Sequence, residues 1–376
     1  MQFTSQIKHK SLANTFLYTG FFTTTLFGLS ACGALPGFTV NAKTDEFKQT
    51  AQRNDKIDIL FVVDNSGSMA NNQEVLAQSF ADFISKFSDK KLNFQVGVIS
   101  TDNVQDAAWW SSTSLTGPYH DIINNGPGSL LAYKTNEKIL RPDTQDLVTK
   151  FQQNAKLGTH GSGAEAAMKS VTIALGDSML GAGGWNEGLV RSEAMLAVII
   201  VSDEDESITT GANATLKSRY IRGLPADAAP RKQAFEDQLR AVKPKADLLS
   251  LTTIVSTSAA ECSDVFQNGD SLWSTGDFYM EAARDMNGTI IPVCKDFAGP
   301  LEDLGSNLVK YLSRFQLKQK PDGQIQVFVN GVVVERNATN GWDYLADTNE
   351  VEFRGDAIPS ADAKIEVAYV PGEPLR

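Results

Sequence analysis

Hydrophobic residues in the first two thirds of the chain occur in short continuous runs, separated by segments with helical spacing. Continuous runs are typical of strands buried on both faces of a parallel sheet. They lie at 56–64, 94–100, 195–201, 248–255 and 289–293. Amphipathic helices, with apolar residues three and four positions apart, are predicted between them at 71–87, 163–175, 231–242, 277–286 and 298–315. This alternation predicts an α/β fold with a doubly wound, mostly parallel sheet.

Two segments depart from the alternation. Residues 102–143 are rich in Gly, Ser, Asn and Pro, and we predict an inserted loop that contains a hairpin or an edge strand. Residues 205–230 form a second irregular stretch, which we predict to be another insertion.

The hydrophobic period changes to two near residue 318. Apolar and polar residues then alternate up to Asn330-Gly331, a strong signal for a two-residue hairpin turn, and the alternation continues beyond it. Residues 318–376 are therefore predicted to form a small antiparallel β-domain.

The N-terminus has the parts of a secretory signal. Lys8 and Lys10 precede an apolar run that ends in small residues before Cys32. Residues 29–32 (LSAC) resemble the lipobox of bacterial lipoproteins, which predicts a signal peptide at 1–31 and lipid attachment, including palmitate-type chains, at Cys32. The alternative is a buried core helix that contains a cysteine. Residues 32–54 are polar and are predicted to carry the lipidated cysteine and a tether.

A lipoprotein of this kind is held in the bacterial cell envelope, because buried acyl methylenes contribute about 0.8 kcal/mol each. Gly33 follows the cysteine. In the lipoproteins that the chain resembles, an Asp at that position would argue for the inner membrane. Gly33 therefore favours the outer membrane, with the protein facing the periplasm or the surface.

Charge and cysteine usage narrow the class of protein. The formal net charge is −11, and it becomes −13 once residues 1–31, which hold two lysines and no acid, are removed. Nucleic acid is excluded as a partner because it needs clustered basic residues, whereas an acidic chain suits cation binding. Cys262 and Cys294 remain after the anchor. In an exported protein such a pair is predicted to be a disulfide rather than a metal or catalytic pair.

Oxygen-bearing side chains follow the first buried strand directly. Residues 64–68 (DNSGS) place one carboxylate and two hydroxyls at alternate positions. Ligands of open α/β sheets bind at the carboxyl ends of the strands, and Mg²⁺ prefers about six oxygen ligands. The segment is therefore a candidate cation site, although the same residue types also cap helices.

Asp64, Ser66 and Ser68 resemble the Asp-x-Ser-x-Ser of the metal-ion-dependent adhesion site in von Willebrand factor A and integrin inserted domains. The resemblance covers residues 55–317 and implies a Rossmann-like fold. The family also supplies a threonine from a later loop and an aspartate after the fourth strand, and Thr159 and Asp203 match them. Ser162 is the alternative to Thr159.

What the resemblance implies is metal-dependent protein binding or adhesion. Ser66, Ser68 and Thr159 would ligate the cation directly, with Asp64 and Asp203 acting through water. The cation would be Mg²⁺, with Mn²⁺ and Ca²⁺ as alternatives. A partner protein would complete the shell with an Asp or Glu carboxylate, because hydroxyl ligands leave the ion under-neutralised.

Two other classes of function are alternatives. One is a scaffold subunit of an envelope assembly in which the metal is structural. The other is an envelope hydrolase, which we disfavour because the sequence has no G-x-S-x-G elbow, H-E-x-x-H helix or phosphate-binding loop. We expect no enzymatic activity.

Further polar residues lie near the candidate site. Glu204, Asp205 and Glu206 form either a solvated acidic loop or extra calcium ligands. Asp102 follows the second strand, and we expect a turn role for it, with a place on the rim of the site as the alternative. His160 is expected on the rim and not as a ligand, since hard cations prefer oxygen.

Overall fold

The computed structural model describes residues 47–51, 55–102, 119–161, 165–210, 214–216, 228–258, 260–262 and 275–372. The predicted signal peptide, Cys32 and Ser162 lie outside these ranges, as do most of the tether and large parts of both insertions. In the described part of the chain, no helix is both long and apolar enough to cross a bilayer.

Five parallel strands form the central sheet, as the apolar runs predict. They are β2 (Lys56–Val63), β3 (Asn93–Ser100), β4 (Met195–Ser202), β7 (Leu249–Val255) and β8 (Thr289–Pro292). Their order is β3-β2-β4-β7-β8, and every neighbouring pair is parallel. All eight residues of β4 are buried, as expected for the centre of a sheet that is covered on both faces.

Eight α-helices are described. They are α1 (Ala70–Ser88), α2 (Tyr119–Asn125), α3 (Leu147–Ala155), α4 (Ala167–Ala174), α5 (Asp177–Leu180), α6 (Ala228–Val242), α7 (Asp277–Asp285) and α8 (Ala298–Tyr311). Residues of α1, α3 and α8 pack on one face of the sheet, and residues of α4, α6 and α7 pack on the other. The doubly wound α/β prediction is confirmed.

Aromatic packing illustrates how the first helix is held on the sheet. Phe80 and Phe83 of α1 contact Phe61 of β2 edge-on, with ring centroids 6.3 and 5.8 Å apart. Phe151 of α3 stacks on Phe80 at 3.5 Å. These rings are fully buried, so they hold the second half of α1 against β2.

Two small antiparallel sheets lie beyond the parallel sheet. One contains β1 (Phe47–Ala51), β14 (Ile365–Pro371), β10 (Pro321–Val329) and β11 (Val332–Val334), in that order. The other contains β12 (Gly341–Leu345), β13 (Glu350–Arg354) and β9 (Arg314–Gln316). A shared apolar core includes Trp342, Phe353 and Tyr369, in agreement with the expectation of a small C-terminal β-domain.

The predicted boundaries of this β-domain need correction. Residues 47–51 were expected to belong to the tether, but they pair with β14 over five positions. The reason is that the backbone N–H and C=O groups of β14 need hydrogen-bond partners, and a strand of almost any composition can provide them. The domain also begins earlier than residue 318, because β9 starts at Arg314.

The β-domain contacts the amino-terminal edge of the parallel sheet. Lys90, in the turn between α1 and β3, donates through Nζ to the carbonyl of Ile358 at 2.8 Å and accepts from the Ala361 amide at 2.8 Å. Lys91 forms an ion pair with Asp362 at 2.8 Å. The β-domain therefore lies away from the carboxyl edge, where the candidate site is.

The described parts of the insertions hold little regular structure. In the first, Leu140 makes a single antiparallel bridge to Val96, with both N···O distances 2.8 Å, and the hairpin or edge strand expected in this insertion stays a prediction, because residues 103–118 lie outside the described residues. In the second, β5 (Ile208–Thr210) and β6 (Ala214–Leu216) form a short hairpin.

Cys262 and Cys294 form a disulfide, with Cα atoms 5.3 Å apart. Cys262 lies in the loop after β7, and Cys294 follows β8 closely. Because the carboxyl ends of neighbouring parallel strands meet at one edge, the bond joins two loops of the edge that carries the candidate site.

Candidate metal centre

Asp64 stands at the carboxyl end of β2 and is fully buried. Its amide donates to the carbonyl of Val201 at 3.0 Å, so the pairing with β4 continues one residue beyond the strand. Its carboxylate is held on both sides: Oδ1 accepts from the Ser66 amide at 2.7 Å, and Oδ2 accepts from the Ser202 hydroxyl at 2.5 Å. The side chain is thus fixed before any ligand binds.

Three other predicted ligands converge beside Asp64. The hydroxyl oxygens of Ser66 and Ser68 are 3.2 Å apart, and the Ser68 hydroxyl donates to Asp203 Oδ1 at 3.0 Å. Ser66 and Asp203 are nearly buried. Residues 135 positions apart in sequence therefore meet where β2 and β4 end, which is the arrangement that the resemblance implies.

The loop that carries Thr159 packs on the 64–68 segment. Gln73 Nε2 donates both to the Asp64 carbonyl at 2.8 Å and to the Gly158 carbonyl at 2.9 Å. The Gly161 amide donates to the Asn65 carbonyl at 2.8 Å. A Cβ at Gly161 would lie 2.4 Å from Asn65 Cγ, so this close approach requires glycine.

Thr159 itself is half-buried on the same rim. Among the described residues, its hydroxyl makes no hydrogen bond to the other four predicted ligands. Its choice over Ser162, which lies outside the described residues, stays a prediction. His160 is exposed.

A polar network under the rim includes Asp102. Asn65 Nδ2 donates to Asp102 Oδ2 at 2.8 Å, and Ser100 donates through its hydroxyl to Asn65 Oδ1 at 2.9 Å. Asp102 is fully buried. The expected turn role is therefore incomplete, because Asp102 also brings a carboxylate into the floor of the candidate site.

Sequence reasoning missed Glu165, which lies two residues before α4 and is fully buried. Its Oε2 accepts from the Thr101 hydroxyl, and its carboxyl is close enough to that of Asp64 for each to shift the other's pKa. Among the described residues, no donor reaches its Oε1. A glutamate just before an apolar helix resembles an ordinary first-turn acid, so the sequence holds no signal that sets it apart.

Burial raises the pKa of three carboxyls at the site. Burial raises the pKa of Asp64, against hydrogen bonds from Ser202 and Ser66 that lower it. Burial, with the negative charges of Asp64 and Asp102, holds the pKa of Glu165 well above its ordinary value. Burial and the charge of Asp64 raise the pKa of Asp203 to about 8. No described Lys or Arg is among the causes that act on these three groups.

This set of residues fits a hard divalent cation. All of the donors are oxygens, the carboxylates repel one another, and one buried carboxylate oxygen lacks a partner. Within the described chain, three or more His, Cys, Asp or Glu side chains do not meet as a ready metal cage. The predicted set has only two carboxylates, and its other ligands would be hydroxyls and water.

The acidic residues after β4 are buried, so the expectation of a solvated acidic loop is wrong. Glu206 accepts from the amides of Met168 and Lys169 at 3.0 and 3.3 Å, and from the Tyr279 hydroxyl at 3.0 Å. Asp205 accepts from the Phe278 amide at 3.1 Å. These carboxylates cap the N-termini of α4 and α7, where the helix dipole favours negative charge.

Comparison with models of known protein families finds no match, and comparison with curated proteins finds none. Solved structures do match. A pilus adhesin, SpaC from Lactobacillus rhamnosus GG, is 12% identical over 85% of this chain and 40% of its own, with a TM-score of 0.39. Its open conformation is 11% identical over 85% and 39%, with a TM-score of 0.41.

Proximal thread matrix protein 1 from the mussel byssus is 9% identical over 72% of this chain and 51% of its own, with a TM-score of 0.33. The chain thus spans about two fifths of the adhesin and half of the byssus protein. Likeness at this level concerns the arrangement of elements and carries nothing about function.

Proposed function

We propose that this protein binds a protein ligand through a divalent cation, as an adhesion-type receptor of the bacterial envelope. The observation that carries the proposal is the convergence of Asp64, Ser66, Ser68 and Asp203 on one point at the carboxyl edge of the parallel sheet. Two strand ends supply these side chains, and their hydrogen bonds hold them in place without a ligand.

The chemistry of the site favours Mg²⁺, with Mn²⁺ and Ca²⁺ as alternatives. Ser66, Ser68 and Thr159 would offer hydroxyl oxygens, while Asp64 and Asp203 would offer carboxylates, in part through water. Hydroxyls add no negative charge, so an Asp or Glu carboxylate of a partner protein is a suitable further ligand. The proposal includes no catalytic step.

The metal step is tested by calorimetric titration of Mg²⁺ and Mn²⁺ into the wild-type protein and Asp64→Ala. We expect binding to the wild type and none to the variant, because Asp64 is the carboxylate at the centre of the set. Asp82→Ala is the matched control, since Asp82 is an exposed aspartate of α1. Equal affinity of the wild type and Asp64→Ala would remove the site assignment.

The ligand step is tested by pull-down from envelope extracts with Mg²⁺ or with EDTA. Proteins captured by the wild type in Mg²⁺ should be lost in EDTA and with Asp64→Ala, and retained with Asp82→Ala. Capture that ignores both EDTA and Asp64→Ala would contradict a cation-dependent ligand site.

We further propose that the protein is anchored by lipid at Cys32. The tether is shorter than the sequence predicts, because β1 begins at Phe47. Fifteen residues in extended conformation span at most about 50 Å. Such a tether would lead into β1, which belongs to the β-domain.

The anchor has its own test. Cys32→Ala should abolish labelling with radioactive palmitate and release the protein from the membrane fraction. Unchanged labelling and fractionation of this variant would contradict the anchor without touching the cation site.

A second candidate function is a scaffold subunit with a structural cation. The near-complete burial of Asp64, Ser66 and Asp203 favours it, since a partner protein has little access to these groups. In that case EDTA would lower the free energy of unfolding and leave the capture of partners unchanged.

A further inference from the structure

Glu165 is held in place by its neighbours on both sides. Its carbonyl accepts from the Ser207 amide at 2.5 Å, and the next amide, of Ala166, donates to the carbonyl of Thr101 at 3.2 Å. The Thr101 hydroxyl then binds Oε2 of the carboxylate. These bonds direct the Glu165 carboxyl toward Asp64, so its position is determined by the fold and not by solvent.

The other carboxylate oxygen, Oε1, is buried without a hydrogen-bond partner among the described residues. Buried polar atoms of native proteins are nearly always paired, because an unpaired one loses its hydration without compensation. A fully buried carboxylate oxygen of this kind needs either a proton shared with the neighbouring Asp64 carboxyl or a cation that lies against both carboxylates.

The ordinary structural roles of such a glutamate are already filled. The free amides of Met168 and Lys169 at the start of α4 are bound by Glu206, so Glu165 does not cap this helix. Arg231 is also engaged by Glu206 and by the carbonyl of Ser207. Neither a helix cap nor an ion pair explains why Glu165 is buried here.

We propose that Glu165 is a third acidic residue of the cation site, with Oε1 contacting the ion directly or through one bound water. This inference rests on the proposed cation site. It adds a carboxylate that the Asp64, Ser66, Ser68, Thr159 and Asp203 set does not contain. With three carboxylates the protein itself neutralises a divalent ion, so the cation binds more tightly and depends less on a partner's carboxylate.

The test is calorimetric titration of Mn²⁺ into the wild type, Glu165→Gln and Asp64→Ala. Glutamine keeps the shape of the side chain and removes its charge. We expect Glu165→Gln to weaken Mn²⁺ binding by about 10–100-fold, as loss of residues that support a metal shell does. Glu236→Gln is the matched control, because Glu236 is a buried glutamate of α6 that is paired with Lys232 and Arg240.

The outcomes separate this inference from the proposed function. If Asp64→Ala abolishes binding and Glu165→Gln leaves it unchanged, Glu165 is not part of the site and the proposed function stands. If the wild type binds no Mn²⁺, both the inference about Glu165 and the proposed function are wrong. If Glu236→Gln weakens Mn²⁺ binding as much as Glu165→Gln does, the loss of any buried carboxylate has this effect. That result would also overturn the inference.

A crystal structure of the wild type grown with Mn²⁺ gives a readout that does not depend on the folding of a variant. Glu165 Oε1 should contact the ion or one of its bound waters. An Oε1 that contacts neither would overturn the inference.

Discussion

Strand β2 has a fully buried aspartate near each end, Asp58 near its start and Asp64 just after its last residue. At the amino edge, Asp58 is met by Arg191, whose Nε donates to Oδ1 at 2.8 Å and whose amide donates to Oδ2 at 2.7 Å. At the carboxyl edge, Asp64 is met by hydroxyls, an amide and a second carboxyl. The two edges therefore bury negative charge in different ways.

The amino edge supplies its own cations. Lys243 is buried and donates through Nζ to the Ala194 carbonyl at 2.6 Å. Burial still raises the pKa of Asp58, but Arg191 and Lys243 lower it. At the carboxyl edge, no described Lys or Arg is among the largest causes that act on the pKa of Asp64, Glu165 or Asp203. Under the proposed function, the first edge is structural and the second takes up a cation from solution.

The largest effect on stability should come from removing the cation of the amino edge. Arg191→Ala leaves Asp58 buried without its partner, and we expect the free energy of unfolding to fall by about 3–5 kcal/mol. Chemical denaturation in EDTA measures it. Arg336→Ala is the control, because Arg336 forms an exposed pair with Asp343 that contributes at most about 1 kcal/mol. If Arg191→Ala and Arg336→Ala lower the free energy of unfolding by similar amounts, the amino edge does not depend on Arg191 as a structural cation.

The next effect should come from adding a cation to the carboxyl edge. Mg²⁺ at 100 times its dissociation constant should raise the free energy of unfolding of the wild type by about 2.7 kcal/mol, because it binds only the folded state. Asp64→Ala should gain nothing. The same unfolding curves, recorded with Mg²⁺ and with EDTA, measure both. Equal stabilisation of Asp64→Ala would place the ion elsewhere.

A smaller effect is expected from pH. The pKa of Asp203 is raised to about 8 from an ordinary 3.8, so between these values the folded state keeps a proton that the unfolded state loses. Stability in EDTA should therefore fall as pH rises from about 4 to about 8, and Mg²⁺ should offset the fall. A loss of 1 kcal/mol lowers Tm by about 2–4 °C in a domain of 150–250 residues.

Melting curves in EDTA at pH 5 and pH 8 measure this dependence. Asp203→Asn is the control, since it cannot lose the proton and should flatten the profile. A wild-type Tm that rises from pH 5 to pH 8 in EDTA would show that ion pairs elsewhere outweigh the buried carboxyls of the carboxyl edge.

The smallest effect is expected at Thr159. Thr159→Ala should lower Mn²⁺ affinity by less than about tenfold, which is about 1.4 kcal/mol, and should weaken ligand capture more, if the hydroxyl reaches the ion mainly when a ligand is bound. Calorimetry and pull-down measure the two effects. Thr172→Ala is the control, because the Thr172 hydroxyl donates within α4 to the Met168 carbonyl. A larger loss for Mn²⁺ than for the ligand would contradict the assignment.

The local pattern of apolar and polar residues was sufficient to predict much of the fold. Continuous apolar runs predict β2, β3, β4, β7 and β8, and all five occur. The strand order that the resemblance implies then places Asp64 near Asp203, and the structure brings them together through Ser68. It also places Cys262 near Cys294. The metal-binding role of the site residues stays a prediction.

Tertiary packing alone decided several other features. β1 is a polar segment whose pairing depends on the edge of β14, more than 300 residues away. Glu206 looks like part of a solvated run until Tyr279 and the start of α4 enclose it. Glu165 resembles a first-turn acid until Glu206 takes that role.

The division has one physical reason. Strand and helix periodicity, and the direction of parallel strands, are determined by neighbours in sequence and by simple geometry, so the residues themselves specify them. A carboxylate can be solvated, can cap a helix, can form an ion pair or can be available to a metal. Which of these applies depends on the distant groups that surround it. Asp58 meets Arg191 across 133 residues, whereas the buried Glu165 meets the carboxyl of Asp64. The sequence determined the positions of the acidic residues along the chain. Only the folded structure decided which of them pair with an Arg or Lys side chain.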